Sequence, residues 1–363
     1  MKLIGIPHKA VTYRSGDTAR IFVATEKNVI ASLHTHSDEI LWRHALEADD
    51  PIIQLHTAGD QLVTLSGLQS LRLRVWDPSS AFLVREHVVS QDFAEQIHAT
   101  SIVVTDPAGN PRVVVLANGQ LLTCYAPDTG EVVWSAALQQ TGITYHSLVG
   151  SNSNALFILG HTPQEAGVTQ IQVSRVELST GSVEPLYRTA PHTSPDSLTI
   201  VSPEGPAPWL VWRSNEGLTV NEIGKVERVY AYESSQLQLP NPQALATVTL
   251  RTLPSSSSRL ALPVLQLITN DAAETVHHLY RIEAQSGDLA PLIVPVLSPQ
   301  VSTEENKSMT VLDAHLDTLL GMTTSSDTGA TSLWVLIPSD TAPALRIPIT
   351  LSDTATHGFV TSA

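Results

Sequence analysis

Fourteen histidines, two Asp-Thr-Gly triplets, one cysteine and one Asn-Lys-Ser sequon are the parts of this sequence that could do chemistry. His34 and His36 stand two apart, the spacing that puts two imidazoles on one face of a strand and suits a metal pair. No third ligand stands nearby in the sequence, and the pair approaches a polar turn, so exposed loop histidines are the expectation. His277 and His278 are adjacent and fall on opposite faces of any strand that holds them. Asp128-Thr129-Gly130 and Asp327-Thr328-Gly329 raise the paired-carboxylate chemistry of an aspartic protease. The first triplet is a turn just before a strand ending in Trp134, and the second lacks the apolar strand such a loop requires. Cys124 lies in the apolar run QLLTCYAP and reads as a small buried hydrophobe. Asn306-Lys307-Ser308 is the single Asn-x-Ser/Thr site, so Asn306 is the candidate N-glycosylation position. No Gly-x-Ser-x-Gly elbow, phosphate-binding loop or dinucleotide fingerprint occurs. The residues assign no catalytic group, cofactor or metal.

Those side chains sit among elements with a clear repeat. DEILWRHAL, from Asp38, is echoed by GEVVWSAAL, from Gly130, and the two tryptophans, Trp42 and Trp134, are 92 residues apart. Weaker copies place turns at Ser80, Gly181, Gly224, Gly287 and Ala342. Successive turn positions are 42, 50, 51, 43, 63 and 55 residues apart. Each unit holds apolar strands such as RIFVAT, QLVTLS or RVVVLA, then a strand such as NVIASLH or QLLTCYA. A Ser-Gly or Asp-Thr-Gly turn and an outer strand follow. Units of this length, all strand and turn, predict the blades of a β-propeller rather than sandwich domains of twice that size. The expected fold is all-β: a propeller of seven to eight four-stranded blades, with or without a complete ring. Trp42 is expected to wedge adjacent blades apart. Only QDFAEQIHAT, 91–100, offers a short helical pattern.

The bulk numbers narrow the partners. Hydrophobic residues make up 42% of the 363, enough for a large core, and charged residues only 15%. A net charge of −15 disfavours nucleic acid and any basic anchor on anionic lipid. One cysteine permits no internal disulfide and no cysteine-based zinc site. The longest late apolar stretch, LAPLIVPVL, is too short and too rich in proline to span a bilayer. The first residues, MKLIGIPHKAV, are too short an apolar run for a secretory leader.

The strand, turn and tryptophan pattern resembles the quinoprotein-type propellers. More specifically, VATEKNVIASL followed by EILWRH, residues 23–33 and 39–44, resembles the N-terminal luminal propeller of the family of subunit 1 of the endoplasmic-reticulum membrane protein complex. That resemblance implies a non-enzymatic scaffold on the luminal side of the endoplasmic reticulum. Its partners would be the other subunits of the complex and, indirectly, membrane-protein clients, tail-anchored ones included. It also implies one propeller domain over 1–363, a fragment of a longer protein with a leader, a further luminal part and a transmembrane helix. Quinoprotein dehydrogenases hold calcium with acidic and amide ligands beside a vicinal disulfide, which a single cysteine cannot form. A propeller scaffold outside that complex, and a quinoprotein-like enzyme remnant, are the alternatives.

Overall fold

The computed structural model describes residues 3–15, 18–35, 39–90, 97–138, 142–150, 156–163 and 168–188, and beyond these the backbone of the strands between His192 and Thr361. Every described regular element is a strand, and nearly all of them pair antiparallel in chain order. Sheet 1 runs Pro7–Ser15, Thr18–Thr25, Val29–His34 and Ile40–Ala45. Sheet 2 runs Ile52–Ala58, Gln61–Ser66, Leu71–Trp76 and Leu83–Ser90. Sheet 3 runs Ala99–Thr105, Pro111–Ala117, Leu121–Ala126 and Glu131–Ala137. Sheet 4 runs Thr144–Gly150, Leu156–Pro163, Val168–Val176 and Val183–Arg188, with His192–Thr193 added to its third strand. Three described strands, Leu198–Val201, Trp209–Ser214 and Gly217–Glu222, form sheet 5. Sheets 6 and 7 have four each, from Leu245–Leu253 to Leu289–Pro291 and from Lys307–His315 to Leu345–Ile349.

The first strands of these sheets make a ring. Each packs against the first strand of the next sheet, and Lys307–His315 of sheet 7 returns to Pro7–Ser15 of sheet 1. That cyclic order is a propeller, and it excludes two stacked sheets. The repeat leaves closure open; the structure closes the ring. Gly358–Thr361 pairs antiparallel with the outer strand of sheet 1, and Leu3–Ile4 pairs parallel with Leu351–Ser352.

The inner strands of sheets 2 and 3 form as they do because both of their faces are buried. Along sheet 3, Val113 and Val115 face the apolar cluster shared with sheet 2, while Val114 and Leu116 face the one shared with sheet 4. Period-two alternation with apolar side chains on both faces gives the unbroken run RVVVLA, which β-branched residues fill well. Across sheets 1 to 4 the core is therefore a series of layers between blades. Sheets 1 and 2 share the cluster of Phe22, Ile30, Trp42, Leu62 and Trp76.

The inferred turns that fall on described residues lie where the third strand of a sheet turns into its fourth. Gly130 and Gly181 are both left-handed there, at φ 78° and 73°, and each N–H donates to the carbonyl four residues back, Ala126 and Glu177. In sheet 2 the residue in this place is Ala81, at φ 57°, bonded to the Asp77 carbonyl, and not Ser80 as the repeat suggests. Ser80 instead gives its N–H to Asp77 Oδ1. The turn positions Asp38, Gly224, Gly287 and Ala342 lie outside the described residues. Of the helical candidate, Ala99 and Thr100 open a strand, and 91–96 lie outside them too.

Candidate functional site

The residues singled out for chemistry are not brought together. Cys124 is fully buried in the third strand of sheet 3, opposite Trp134, and burial pushes its thiol up to about 12, so it stays protonated and inert. Asp128 is an exposed turn residue whose carboxylate lies 3.9 Å from Arg112; Asp327 lies outside the described residues. His34 ends the third strand of sheet 1, and His36 falls outside. His277 and His278 are successive positions of one strand, opposite Ile268 and Leu267. Asn306 lies outside the described residues. Among those described, no three His, Cys, Asp or Glu side chains converge as metal ligands.

Polar groups do meet along the inner ring. His56, on the first strand of sheet 2, bonds Ser101 Oγ, on the first strand of sheet 3, at 2.9 Å. His8 of sheet 1 reaches the Ile52 carbonyl of sheet 2 at 2.9 Å. Crowding by protein and, second, the charge of Lys9 lower the His56 pKa to about 4, against a weaker opposing pull from Ser101. His44 and His146 are lowered as well, both mainly by burial, with Arg74 and His161 adding to it. A histidine kept neutral in the fold binds its proton more readily once unfolded. Stability from these groups is therefore fully present above the ordinary histidine pKa of about 6.5, falls as pH drops below it, and levels off for His56 near 4. For His56 the loss is roughly 1–3 kcal/mol, trimmed because water reaches part of the ring. Urea midpoints at pH 7.5 and 5.0 should differ less for His56→Gln than for the parent chain; equal differences would remove His56 from this account.

The outer rim carries a more specific arrangement. In sheets 1, 2 and 3 the third and fourth strands share one register, with a bulge at Leu41, Val84 and Val133. The next residue along is then Trp42, Arg85 or Trp134. Trp42 is buried and its Nε1–H donates to the Pro78 carbonyl in the turn of sheet 2, at 3.0 Å. Trp134 donates to the Leu178 carbonyl in the turn of sheet 4, at 2.6 Å. Pro78 and Leu178 hold the same place in their turns, one residue after Asp77 and Glu177. The left-handed turn residue caps the ring: Ala81 joins the cluster around Trp42, and a Cβ on Gly181 would lie 2.7 Å from Trp134 Cδ2. The tryptophans are thus inter-blade wedges.

Between sheets 2 and 3 the wedge is Arg85. Its stem runs beneath Gly130, where a Cβ would lie 2.7 Å from Arg85 Cδ. A thinner side chain leaves a cleft of ≈ 210 Å³, walled by Val75, Arg85, His87, Tyr125, Pro127 and Gly130. The Arg85 guanidinium makes no hydrogen bond or ion pair with any described residue. Phe82, 68% exposed, and Leu83, Val84, Val132 and Val133 stand open beside the cleft. His87 lies on the Tyr125 ring at 4.8 Å, as His44 lies on Trp76 at 5.0 Å. This rim is the candidate interaction surface. Reading the sequence by the tryptophans alone misses Arg85; an ungapped match of Ala81-Phe82-Leu83-Val84-Arg85 to Gly130-Glu131-Val132-Val133-Trp134 finds it.

The family model described as the EMC1 N-terminal β-propeller domain matches residues 1–332. ER membrane protein complex subunit 1 of Gallus gallus is 27% identical over 194 residues, 53% of this chain and 17% of the relative. The Xenopus laevis protein of the same name is 24% identical over 179 residues, 48% of this chain and 17% of its own. Both matches therefore span less than a fifth of the relative's length. The crystal structure of BBS1N in complex with ARL6DN, soaked with lead, superposes with a TM-score of 0.58 over 94% of this chain and 95% of that one. At 12% identity that likeness shows the fold alone. No described helix is long and apolar enough to cross a membrane.

Proposed function

The chain belongs to the EMC1 N-terminal β-propeller family, and on that footing we propose that it is a non-enzymatic scaffold of the ER membrane protein complex. It stands on the luminal side and supports insertion and folding of transmembrane proteins through contacts with other subunits. The observation that carries this reading is the family match along residues 1–332, laid over seven sheets whose first strands close a ring. A propeller of this kind is rigid at its layered core and offers loops, turns and outer edges to partners. The rim between sheets 2 and 3 supports the reading, since it exposes the apolar side chains of Phe82, Leu83, Val84, Val132 and Val133.

The test is recovery from membranes. The tagged protein, solubilised in mild detergent, should co-purify with the other subunits of the complex in constant ratio. Recovery without them overturns the scaffold reading. Luminal placement has its own readout at Asn306: endoglycosidase treatment should speed the migration of the parent protein and leave Asn306→Gln unchanged. A parent protein without a glycan at Asn306 removes the modification, and protease accessibility of the tag in sealed microsomes then decides the side.

A further inference from the structure

We propose that the outer edge of sheet 2, at Arg85–Val88, receives an extended segment of a partner protein, with a carboxylate opposite Arg85 and apolar residues beside it. The proposal rests on reading the chain as an interaction module and names where on the ring one partner sits and what it looks like.

The fold itself shows what such an edge accepts. Gly358–Thr361 adds to the outer strand of sheet 1, with Phe359 opposite His44, Val360 opposite Arg43 and Thr361 opposite Trp42. The shared bulge register makes Arg85, Glu86, His87 and Val88 the counterparts of Trp42, Arg43, His44 and Ala45. Among the described residues no strand covers that edge of sheet 2. Its backbone groups are therefore open to strand addition just inside the bulge, where sheet 1 is already covered.

Charge fixes the chemistry of the occupant. Arg85 is half-buried, unpaired among the described residues, and lines a cleft that in the two neighbouring interfaces is filled by indole. Glu86 beside it is already engaged, 2.6 Å from Arg74 and 3.9 Å from Arg72. Asp128, near Arg112, and the exposed Glu131 are the other carboxylates of the adjoining turn. A carboxylate arriving opposite Arg85 gains a forked, partly desolvated ion pair. Phe82, Leu83 and Val84 on one side, and Val132 and Val133 on the other, cover apolar neighbours of that carboxylate.

The probe is a fluorescent peptide, Gly-Phe-Val-Glu-Val, which copies the strand on sheet 1 and places Glu in the register of Thr361. Its Gln and Lys counterparts are the controls. Anisotropy titration should show the Glu peptide binding about tenfold more tightly than the Gln peptide, and the Lys peptide not at all. Arg85→Met keeps the stem under Gly130 and should erase the preference while leaving the melting temperature in place. Glu and Gln peptides of equal affinity, a preference that survives Arg85→Met, or no binding by any peptide overturns the proposal. A photo-crosslinker at Phe82 in the tagged full-length protein separates this from the scaffold reading. Subunits recovered with the protein, but with no crosslink from position 82, sink the edge and keep the scaffold. Glu-selective peptide binding with no subunits recovered does the reverse.

Discussion

Trp134→Ala should destabilise the protein by about 3–5 kcal/mol, and Gly181→Ala by about 2–4 kcal/mol, although position 181 lies in a surface turn. Trp134 is 8% exposed and shares a core cluster with Cys124, Leu156, Val176 and Leu178. Removing the indole opens a cavity between sheets 3 and 4 and leaves the Leu178 carbonyl without its donor. Alanine at 181 suffers twice, since φ is 73° and its methyl would overlap the six-membered ring of Trp134. The two losses share one cause, so they must not add. In the double variant the methyl enters space the indole has vacated, and the combined cost should fall short of the sum by about 1 kcal/mol or more. Trp134→Phe keeps an aromatic wedge and loses only the Nε1 bond, at about 1–2 kcal/mol. Urea unfolding of the four variants measures the cycle. Strict additivity would mean that turn and wedge do not touch in solution.

The same pair shows what the sequence makes legible. Gly130 and Gly181 announce their turns because a left-handed backbone excludes most side chains, and Trp42 and Trp134 announce the outer strand by sheer size. Ala81 breaks the signal. It occupies the glycine place at φ 57° because its methyl is buried in the cluster around Trp42, so the repeat slips by one residue to Ser80. That slip also hides Arg85, which on an outer strand reads as one more solvated charge. Ring closure is hidden for a different reason. Pro7–Ser15 meets Lys307–His315 without a backbone ladder, and no local pattern reports a contact between segments that far apart. Apolar runs do report two-faced burial, which is why the strands of sheets 2 and 3 are readable where their order around the axis is not.

Arg74→Met should cost about 3–5 kcal/mol, the other large loss expected of a single substitution. Arg74 is 5% exposed, and its Nη1 lies 2.5 Å from Asp50 Oδ2 and 2.7 Å from Ser66 Oγ, while its Nε lies 2.6 Å from Glu86 Oε2. One guanidinium thus joins the link from sheet 1, the second strand of sheet 2 and its outer strand. Asp50 is 7% exposed and its Oδ1 has no partner among the described residues, so loss of Arg74 strands a buried carboxylate. Glu86 reaches water and suffers less. The asymmetry makes a sharp test. Arg74→Met with Asp50→Leu removes the stranded charge with its partner and should recover about half of the cost or more. Arg74→Lys offers a point charge where a fork is needed and should cost about 1–2 kcal/mol. Without the guanidinium, His44 should titrate closer to the ordinary histidine value, though burial still holds it down. A loss under about 1 kcal/mol for Arg74→Met would mean that Asp50 is solvated. Because Glu86 shares the outer strand of sheet 2 with Arg85, the variant should also loosen that edge, so amide exchange along 83–89 should quicken before the rest of sheet 2 opens.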